Sequence, residues 1–254
     1  MKLRVLGCGT STGVPKIGND WGRCDPQEPR NRRLRSSILV DSAGQRLLVD
    51  CGPDLRQQLL SAEVGRLDGV IVTHAHGDHC HGIDELRPVS QAIERPVPLH
   101  ARAHVLEEPA LRFAYAFARG EFYKPIVEPR QISGDLAIGQ ATVRCVDQPH
   151  GGMTALGLRF DEGERSAAYA IDFSALTAEM AALYQGVDLW MADCLTRKPH
   201  PTHMNLDALL GMARELRVGQ LYLTHMGNGL DYRTLVAELP DWAAPAHDGL
   251  EIAL

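Results

Sequence analysis

The stretch His74-Ala75-His76-Gly77-Asp78-His79 places three imidazoles and one carboxylate within six residues. It directly follows the apolar run Val70-Ile71-Val72, which predicts a buried strand that ends near Thr73. Because side chains alternate along a strand, His74 and His76 point to one side, and the next turn brings Asp78 and His79 towards them. Imidazole and carboxylate suit zinc, manganese, iron or nickel, and no thiolate pair nearby suggests a closed structural zinc site. The stretch predicts an open, hydrolytic metal site; the alternative is a His-rich surface turn without an ion.

Further ligands are expected downstream, because one turn cannot complete the coordination of two neighbouring ions. The chain has three polar residues that each follow an apolar strand-like run. His150 follows Val143–Val146, Asp172 follows Ala167–Ile171, and His225 follows Leu221–Thr224. Any one of them alone would be read as a structural residue, but their common context favours a shared metal site.

The order H-x-H-x-D-H, then His, Asp and His, resembles the metallo-β-lactamase superfamily of binuclear metallohydrolases over nearly the whole chain. The resemblance implies an αββα sandwich of class α/β, with two mixed sheets face to face and helices on the outer faces. It also implies two divalent ions, zinc or manganese, with nickel or iron as alternatives. One ion would be held by His74, His76 and His150, the other by Asp78, His79 and His225, with Asp172 bridging both.

The hydrophobic pattern alternates between strand-like and helix-like segments. Strands are predicted over 2–6, 36–41, 46–50, 69–73, 97–100, 141–146, 155–160, 167–171, 187–192 and 220–224, with a hairpin turn at Asp41–Gly44. Helices are predicted over 54–62, 83–94, 102–112, 176–184, 205–216 and 232–238. Asn205 is expected to cap the fifth helix, with Asp207 favourable near its positive end.

A carboxylate also precedes the metal-binding turn. Leu47-Leu48-Val49-Asp50-Cys51-Gly52 resembles the superfamily strand that ends in Asp-x-Gly, whose carboxylate supports the metal-binding histidines without ligating. The alternative role for Asp50 is to cap the 54–62 helix.

Two further segments narrow the resemblance to the PhnP-like phosphodiesterases. These are the glycine-rich stretch 6–15 and the arginine-rich stretch 29–37, which contains Arg30, Arg32, Arg33 and Arg35. The arginines could steer a phosphate towards the metals or simply form a solvated face. The PhnP-like enzymes carry an extra zinc on a cysteine cluster, whereas loop 10–35 has only Cys24 beyond the first strand. We therefore expect no third zinc. Whether this loop changes the substrate specificity is left open by the sequence.

The resemblance implies hydrolysis of a small ribosyl-type cyclic phosphate diester by attack of a metal-bridging hydroxide. Catalytic roles then fall on Asp78, Asp172 and His203, with His203 as the general acid. His200 is the competing acid. Asp193 could orient His203 or His225, or merely end a strand.

Ribonuclease Z, another branch, is disfavoured because its His-Glu-Ala-Thr element is replaced by Met191-Ala192-Asp193-Cys194 and no tRNA-clamping arm is visible. The formal net charge of -6 also disfavours nucleic acid as a partner. The expected partner is a small phosphodiester. A metal-dependent ester, lactone or thioester hydrolase is the alternative enzyme, and a noncatalytic metal-binding protein is the alternative from another class.

Length and composition indicate one compact domain over 1–254: the chain is 44% hydrophobic and shows no linker or repeat. No apolar stretch approaches membrane-spanning length, so a cytoplasmic protein without membrane contact is expected. Six scattered cysteines fit reduced thiols, Cys80 included. The sequence does not decide whether the protein forms a homodimer. Four aromatic residues could form an interface, a pocket wall or part of the core: Phe113, Tyr115, Phe117 and Phe122.

Overall fold

The computed structural model describes residues 1–120 and 124–254, and this part of the chain contains two seven-stranded sheets. The first sheet has the order β14-β1-β2-β3-β4-β5-β6. Its strands are β1 (Lys2–Gly7), β2 (Ser37–Ser42), β3 (Gln45–Val49), β4 (Gly69–Ile71), β5 (Val97–Ala101), β6 (Val127–Gln131) and β14 (Glu251–Ala253). Strands β3 to β6 run parallel, and the pairs β14-β1, β1-β2 and β2-β3 are antiparallel.

The second sheet has the order β13-β12-β11-β10-β9-β8-β7. Its strands are β7 (Leu136–Ile138), β8 (Ala141–His150), β9 (Met153–Glu162), β10 (Arg165–Ala170), β11 (Leu189–Asp193), β12 (Gln220–Thr224) and β13 (Ala243–Pro245). Strands β10 to β13 are parallel, so their carboxyl ends lie at one edge of the sheet. That edge is where the sequence placed Asp172 and His225.

Helices connect the strands. Those of the first half are α1 (Leu55–Ser61), α2 (Gly77–Cys80), α3 (Arg87–Ile93), α4 (Ala103–Arg112) and α5 (Ala114–Phe117); those of the second half are α6 (Ala178–Tyr184), α7 (Leu206–Glu215) and α8 (Tyr232–Glu238). The side chain of Asn205 accepts a hydrogen bond from the Ala208 amide, which confirms the predicted cap of α7. Thr177 and Asp231 cap α6 and α8 in the same way.

The alternation of side chains along the strands produces the layers. In β3, Leu47 and Val49 belong to the core that includes Leu158 and Tyr169 of the second sheet, whereas Leu48 faces the other way. Leu48 joins a second core that contains Leu55 of α1 and Val89 of α3. The first sheet is therefore covered by the second sheet on one face and by helices on the other, which confirms the predicted αββα sandwich.

Element boundaries differ from the predictions where tertiary contacts decide them. Strand β8 continues to His150 because it pairs with β9 as far as Met153. The helix predicted over 83–94 is a 3₁₀ turn, Ile83–Leu86, followed by α3, in whose first turn Pro88 needs no hydrogen-bond partner for its nitrogen. The short strands β6, β7, β13 and β14 were not predicted.

The aromatic segment after β5 divides between core and surface. Phe113 and Phe117 pack partly against the second core, whereas Tyr115 is exposed; Phe122 lies outside the described residues.

Among the helices of the described residues, none is long and apolar enough to cross a membrane. All six cysteines are free thiols. Burial raises the pKa of Cys80 to about 11, so its thiol stays protonated at neutral pH and is a poor nucleophile.

Candidate metal centre

The metal-binding turn lies at the carboxyl end of β4. His74 and His79 are buried, Asp78 is half-buried, and His76 is exposed. Asp78 and His79 belong to α2, a single helical turn that swings their side chains back towards His74. His150 comes from the end of β8, Asp172 from just beyond β10, and His225 from just beyond β12. The structure therefore brings all seven predicted ligand residues to one edge of the sandwich.

One group of these residues has four atoms that face one another. His74 Nε2 lies 3.0 Å from His76 Nδ1, and His150 Nε2 lies 3.4 Å from the same atom. Asp172 Oδ2 lies 3.4 Å from both His74 Nε2 and His150 Nε2. Four ligands held tetrahedrally at about 2.1 Å from zinc would be about 3.4 Å apart. The spacing therefore fits one ion.

A second group shares Asp172. His79 Nε2 lies 3.1 Å from Asp78 Oδ2 and 3.6 Å from Asp172 Oδ2. His225 approaches the other carboxylate oxygen, with its Nδ1 3.3 Å from Asp172 Oδ1. Ligand atoms of Asp78, His79 and His225 lie within 4.8 Å of one another. Asp172 stands between the two groups, where a bridging carboxylate would be needed.

Two unpartnered atoms test whether metal ions suit this arrangement. His79 Nε2 and Asp172 Oδ1 are buried and form no hydrogen bond within the described residues, although polar atoms lie close to both. A buried polar atom without a partner costs about 1–3 kcal/mol. A cation coordinated by both groups would remove that cost, and the nitrogen and oxygen donors suit zinc, manganese, iron or nickel. The residues present therefore fit a pair of divalent ions.

The protonation states also suit ligation. Burial lowers the pKa of His150 to about 4 and that of His225 to about 4, with the charge of Asp172 opposing the shift at both rings. Burial would raise the pKa of Asp172, but His225 and His79 hold it well below its usual range. At neutral pH His150 and His225 are therefore neutral and Asp172 is ionised, which are the forms that bind metals. Burial would lower the pKa of His79, but the charges of Asp50, Asp78 and Asp172 raise it, so a metal ion bound at His79 would displace a proton.

Asp50 supports the turn from behind. Its Oδ2 accepts a 2.7 Å hydrogen bond from His79 Nδ1, which leaves Nε2 facing the site. Its Oδ1 accepts a 2.8 Å hydrogen bond from the Thr73 amide. Asp50 does not cap α1, because the residue before that helix is Asp54, whose side chain makes no capping bond. The contacts match the supporting position expected from the sequence.

His203 lies beside the same site. Its ring stacks on His225 with centroids 5.0 Å apart, and its Nδ1 donates a 2.8 Å hydrogen bond to Asp193 Oδ2. Burial would lower the pKa of His203, but the hydrogen bond and charge of Asp193 raise it. His200 instead lies at the surface and contacts Thr202. Of the two histidines, His203 has the carboxylate partner and the position next to the ligand cluster.

A cavity of about 450 Å³ opens over these residues. It is lined by Ser11, His76, Asp78, His150, Gly151, Gly152, Met153, Asp172, Thr202, His203 and His225. Ser11, Thr202 and the Gly151–Met153 turn are wall residues that the sequence patterns did not predict. The two adjacent glycines immediately after His150 were the available signal for that turn. No lysine or arginine is among the lining residues that the structure describes.

The arginine-rich segment makes structural contacts. Arg33 is buried, and its guanidinium donates to the carbonyls of Gly227 at 3.2 Å and Leu230 at 2.6 Å. Arg30 pairs with Glu28, and Arg35 pairs with Asp54 and also donates to the carbonyl of Ser11. The guanidinium of Arg32 lies over the Trp21 ring. These contacts match the second role expected for the arginines, which is pairing with neighbouring groups. None of the four arginines is among the described residues that line the cavity.

The loop with Cys24 is held by hydrogen bonds to the segment after His225. Asn31 Nδ2 donates to Asp231 Oδ2 at 2.7 Å, and the Arg23 amide donates to the Asn228 carbonyl at 2.8 Å. The glycine-rich stretch 6–15 contacts the same segment, because the Met226 amide donates to the Cys8 carbonyl. This stretch is therefore hydrogen-bonded to the residue that follows His225.

Two seven-stranded sheets with helices outside, and His and Asp side chains gathered at one edge, define a metallo-β-lactamase fold with a candidate binuclear metal centre. Residues 45–226 match the Beta-lactamase superfamily domain. The chain belongs to this superfamily.

Among solved structures, the chain is similar to a diphosphatase from the PhnP family, with 34% identity and a TM-score of 0.90 over 99% of this chain and 96% of that one. It also shares its fold with PqqB from Methylobacterium extorquens, at 19% identity and a TM-score of 0.78 over the full length of both chains.

Curated relatives match over parts of their length. An octanoyltransferase of Porphyromonas gingivalis is 30% identical over 99% of this chain and 51% of that protein. A ribonuclease Z of Salinibacter ruber is 32% identical over 39% of this chain and 27% of that protein. The chain thus spans about half of the first relative and about a quarter of the second.

Proposed function

We propose that the protein is a binuclear metal-dependent phosphodiesterase that hydrolyses a small phosphate diester, of the cyclic ribosyl type, within one domain over 1–254. The observation that carries the proposal is the His203–Asp193 pair beside the ligand cluster, because it adds a proton donor to a metal-binding cavity. Similarity to the PhnP-family diphosphatase over nearly both chains supports phosphorus chemistry.

The ligands divide as their distances suggest. His74, His76 and His150 would hold one ion, Asp78, His79 and His225 the other, and Asp172 would bridge both. When bound, such ions polarise phosphoryl oxygens and lower the pKa of coordinated water towards neutrality. Asp50 keeps the His79 ring oriented, and Asp78 and Asp172 hold negative charge that retains the cations.

His203 would supply the proton that the leaving group needs. In hydrolysis of a phosphodiester, water adds to phosphorus and the bond from phosphorus to one ester oxygen breaks. That oxygen leaves as an alkoxide unless it is protonated, and a sugar alkoxide is a poor leaving group. Because His203 Nδ1–H is bonded to Asp193, its Nε2–H is free to donate into the cavity. After donation, the carboxylate favours return of a proton to the ring.

A small substrate fits the cavity better than a polyanion. A volume of about 450 Å³ suits a molecule the size of a nucleoside phosphate. The described wall residues include no lysine or arginine that could track a phosphate backbone, and the formal net charge is -6. We therefore propose a small molecule as partner in preference to RNA.

The test is hydrolysis of bis(p-nitrophenyl) phosphate by purified manganese-loaded protein beside an Asp172→Ala control. Turnover that disappears in the control supports the phosphodiesterase, and ribosyl cyclic phosphates are then tested as substrates. No turnover by metal-loaded protein contradicts the proposal. Lactones and thioesters would be assayed next, and inactivity on these as well would favour the noncatalytic metal-binding protein.

A further inference from the structure

Gln148 is a fully buried polar side chain near the metal centre that none of the proposed catalytic roles uses. It lies two residues before His150 on β8. Its Nε2 donates a 2.8 Å hydrogen bond to the carbonyl of Ile171, the residue before Asp172. Its Oε1 accepts a 2.7 Å hydrogen bond from the Tyr184 hydroxyl of α6. One amide thus joins the strand that carries His150 to the segment that carries Asp172.

The link crosses a strand that separates its two ends, since β9 lies between β8 and β10. Gly157 of β9 leaves the space for this crossing. A Cβ atom at Gly157 would lie 1.8 Å from the Tyr184 hydroxyl oxygen and 2.5 Å from Gln148 Oε1. Any side chain at this position would displace the two groups. A glycine in mid-strand weakens a sheet, and here its absence of a side chain has a packing reason.

The orientation of the amide follows from its partners. The Ile171 carbonyl can only accept, so Nε2 must face it, and Oε1 then faces Tyr184, which must donate. A second contact reinforces the link, because the Ser174 amide donates to the Pro149 carbonyl at 2.9 Å. Residues on both sides of Asp172 are therefore tied to residues just before His150.

Asp172 needs such support. Its φ is +51°, a left-handed conformation that is unfavourable for a residue with a side chain and persists only where its surroundings enforce it. His150 Nε2 and Asp172 Oδ2 must also stay 3.4 Å apart for one ion to contact both. Outer contacts that orient ligands in this way typically change metal affinity by about 10–100-fold when removed.

We propose that Gln148, held by Tyr184 above Gly157, is a positioning residue that fixes His150 and Asp172 relative to each other for metal binding. This inference rests on the metal centre of the proposed function. Gln148 does not touch the cavity, so it acts through the two ligands.

The experiment compares Gln148→Met, which keeps the length of the side chain but removes both hydrogen bonds, with Tyr184→Phe, which removes one. Zn²⁺ affinity is measured by competition with a chromophoric chelator, and the Co²⁺-substituted proteins are compared by visible absorption. We expect Zn²⁺ affinity to fall about 10–100-fold in Gln148→Met and by a smaller factor in Tyr184→Phe, with a changed Co²⁺ spectrum.

Ser42→Ala is the matched control, because Ser42 is a buried hydroxyl that bonds the amide of Ala141, at the other end of β8. It should lower the melting temperature without changing Zn²⁺ affinity. Unchanged affinity and Co²⁺ spectrum in Gln148→Met, or an equal loss in Ser42→Ala, would overturn the inference. If Gln148→Met does not fold, Tyr184→Phe decides by the same criteria.

These readouts separate the inference from the activity. A wild-type protein that binds Zn²⁺ but hydrolyses no phosphodiester contradicts the proposed function, while the effect of Gln148→Met on affinity still decides the positioning role. A wild-type protein that binds no Zn²⁺, Mn²⁺ or Co²⁺ would overturn both.

Discussion

Replacement of His203 by alanine should slow hydrolysis in proportion to the difficulty of the leaving group. General acid catalysis contributes about 10²–10⁴-fold to rate, which corresponds to about 3–5 kcal/mol of transition-state stabilisation. The full factor applies to a ribosyl or alkyl ester, whose alkoxide needs a proton. p-Nitrophenolate leaves without one, so bis(p-nitrophenyl) phosphate should lose little. The structural reason is that His203 lines the cavity and its ring nitrogen Nδ1 is hydrogen-bonded to Asp193, which is not one of the proposed metal ligands.

The assay measures kcat/KM of His203→Ala and wild type on bis(p-nitrophenyl) phosphate and on a cyclic ribosyl phosphate. His200→Ala is the control, because its ring lies 5.3 Å from that of His203 but, among the described residues, it bonds Thr202 and no carboxylate. The control should match wild type on both substrates. Equal slowing of both substrates in His203→Ala would refute the general-acid role and favour a binding role. Loss confined to His200→Ala would transfer the role to that residue.

Three further outcomes follow from the geometry. Asp50→Ala removes the acceptor for His79 Nδ1 and should weaken Zn²⁺ binding about 10–100-fold by chelator competition, whereas unchanged binding would contradict the supporting role. Arg33→Met removes the two buried charged hydrogen bonds from the guanidinium to the Gly227 and Leu230 carbonyls. It should lower the free energy of unfolding in urea by about 3 kcal/mol, against less than about 0.5 kcal/mol for exposed Arg66→Met. Burial would raise the pKa of Asp231, but hydrogen bonds from Thr234, Asp25 and Asn31 lower it from 3.8 to about 2. The ionised carboxylate therefore stabilises the fold above about pH 4, and this contribution is lost as the pH falls towards 2. Asp231→Asn should reduce the dependence of stability on pH in that window, and an unchanged acid limb in urea unfolding would contradict this assignment.

The ligands could be found from the sequence because each belongs to a short local pattern. An apolar strand followed by His or Asp, at once or within four residues, is visible in one window, and parallel strands such as β10 and β12 bring their carboxyl ends to one edge. Asp50 and Asn205 were recognisable for the same reason. The structure places each of them where the local pattern required.

Contacts between distant segments were not visible in this way. Strand β6 contains Pro129 and charged residues, so its pattern resembles a loop, and only pairing with β5 at the sheet edge makes it a strand. Arg33 reads as part of a basic surface run, yet it is buried against carbonyls almost 200 positions away. Gln148 looks like an ordinary polar residue until the gap above Gly157 is known.

The backbone of the site shows why such distant contacts matter. Among the residues that the structure describes, eight non-glycine residues have positive φ. Five of them are exposed at turns or element ends: Asn19, Ala43, Glu63, Glu94 and Arg217. The other three are Asp50, Asp172 and His225, all buried at the metal centre. Each left-handed residue costs about 1–3 kcal/mol.

At these three buried positions, packing and hydrogen bonds must offset the cost of the left-handed backbone conformation. Asp50 is held by Thr73 and His79, Asp172 by the Gln148 contact with Ile171, and His225 by Ser36 of the segment before β2. These supports come from both sheets. The ligand geometry is therefore a property of the assembled sandwich, and the six residues of the turn would not hold two ions on their own.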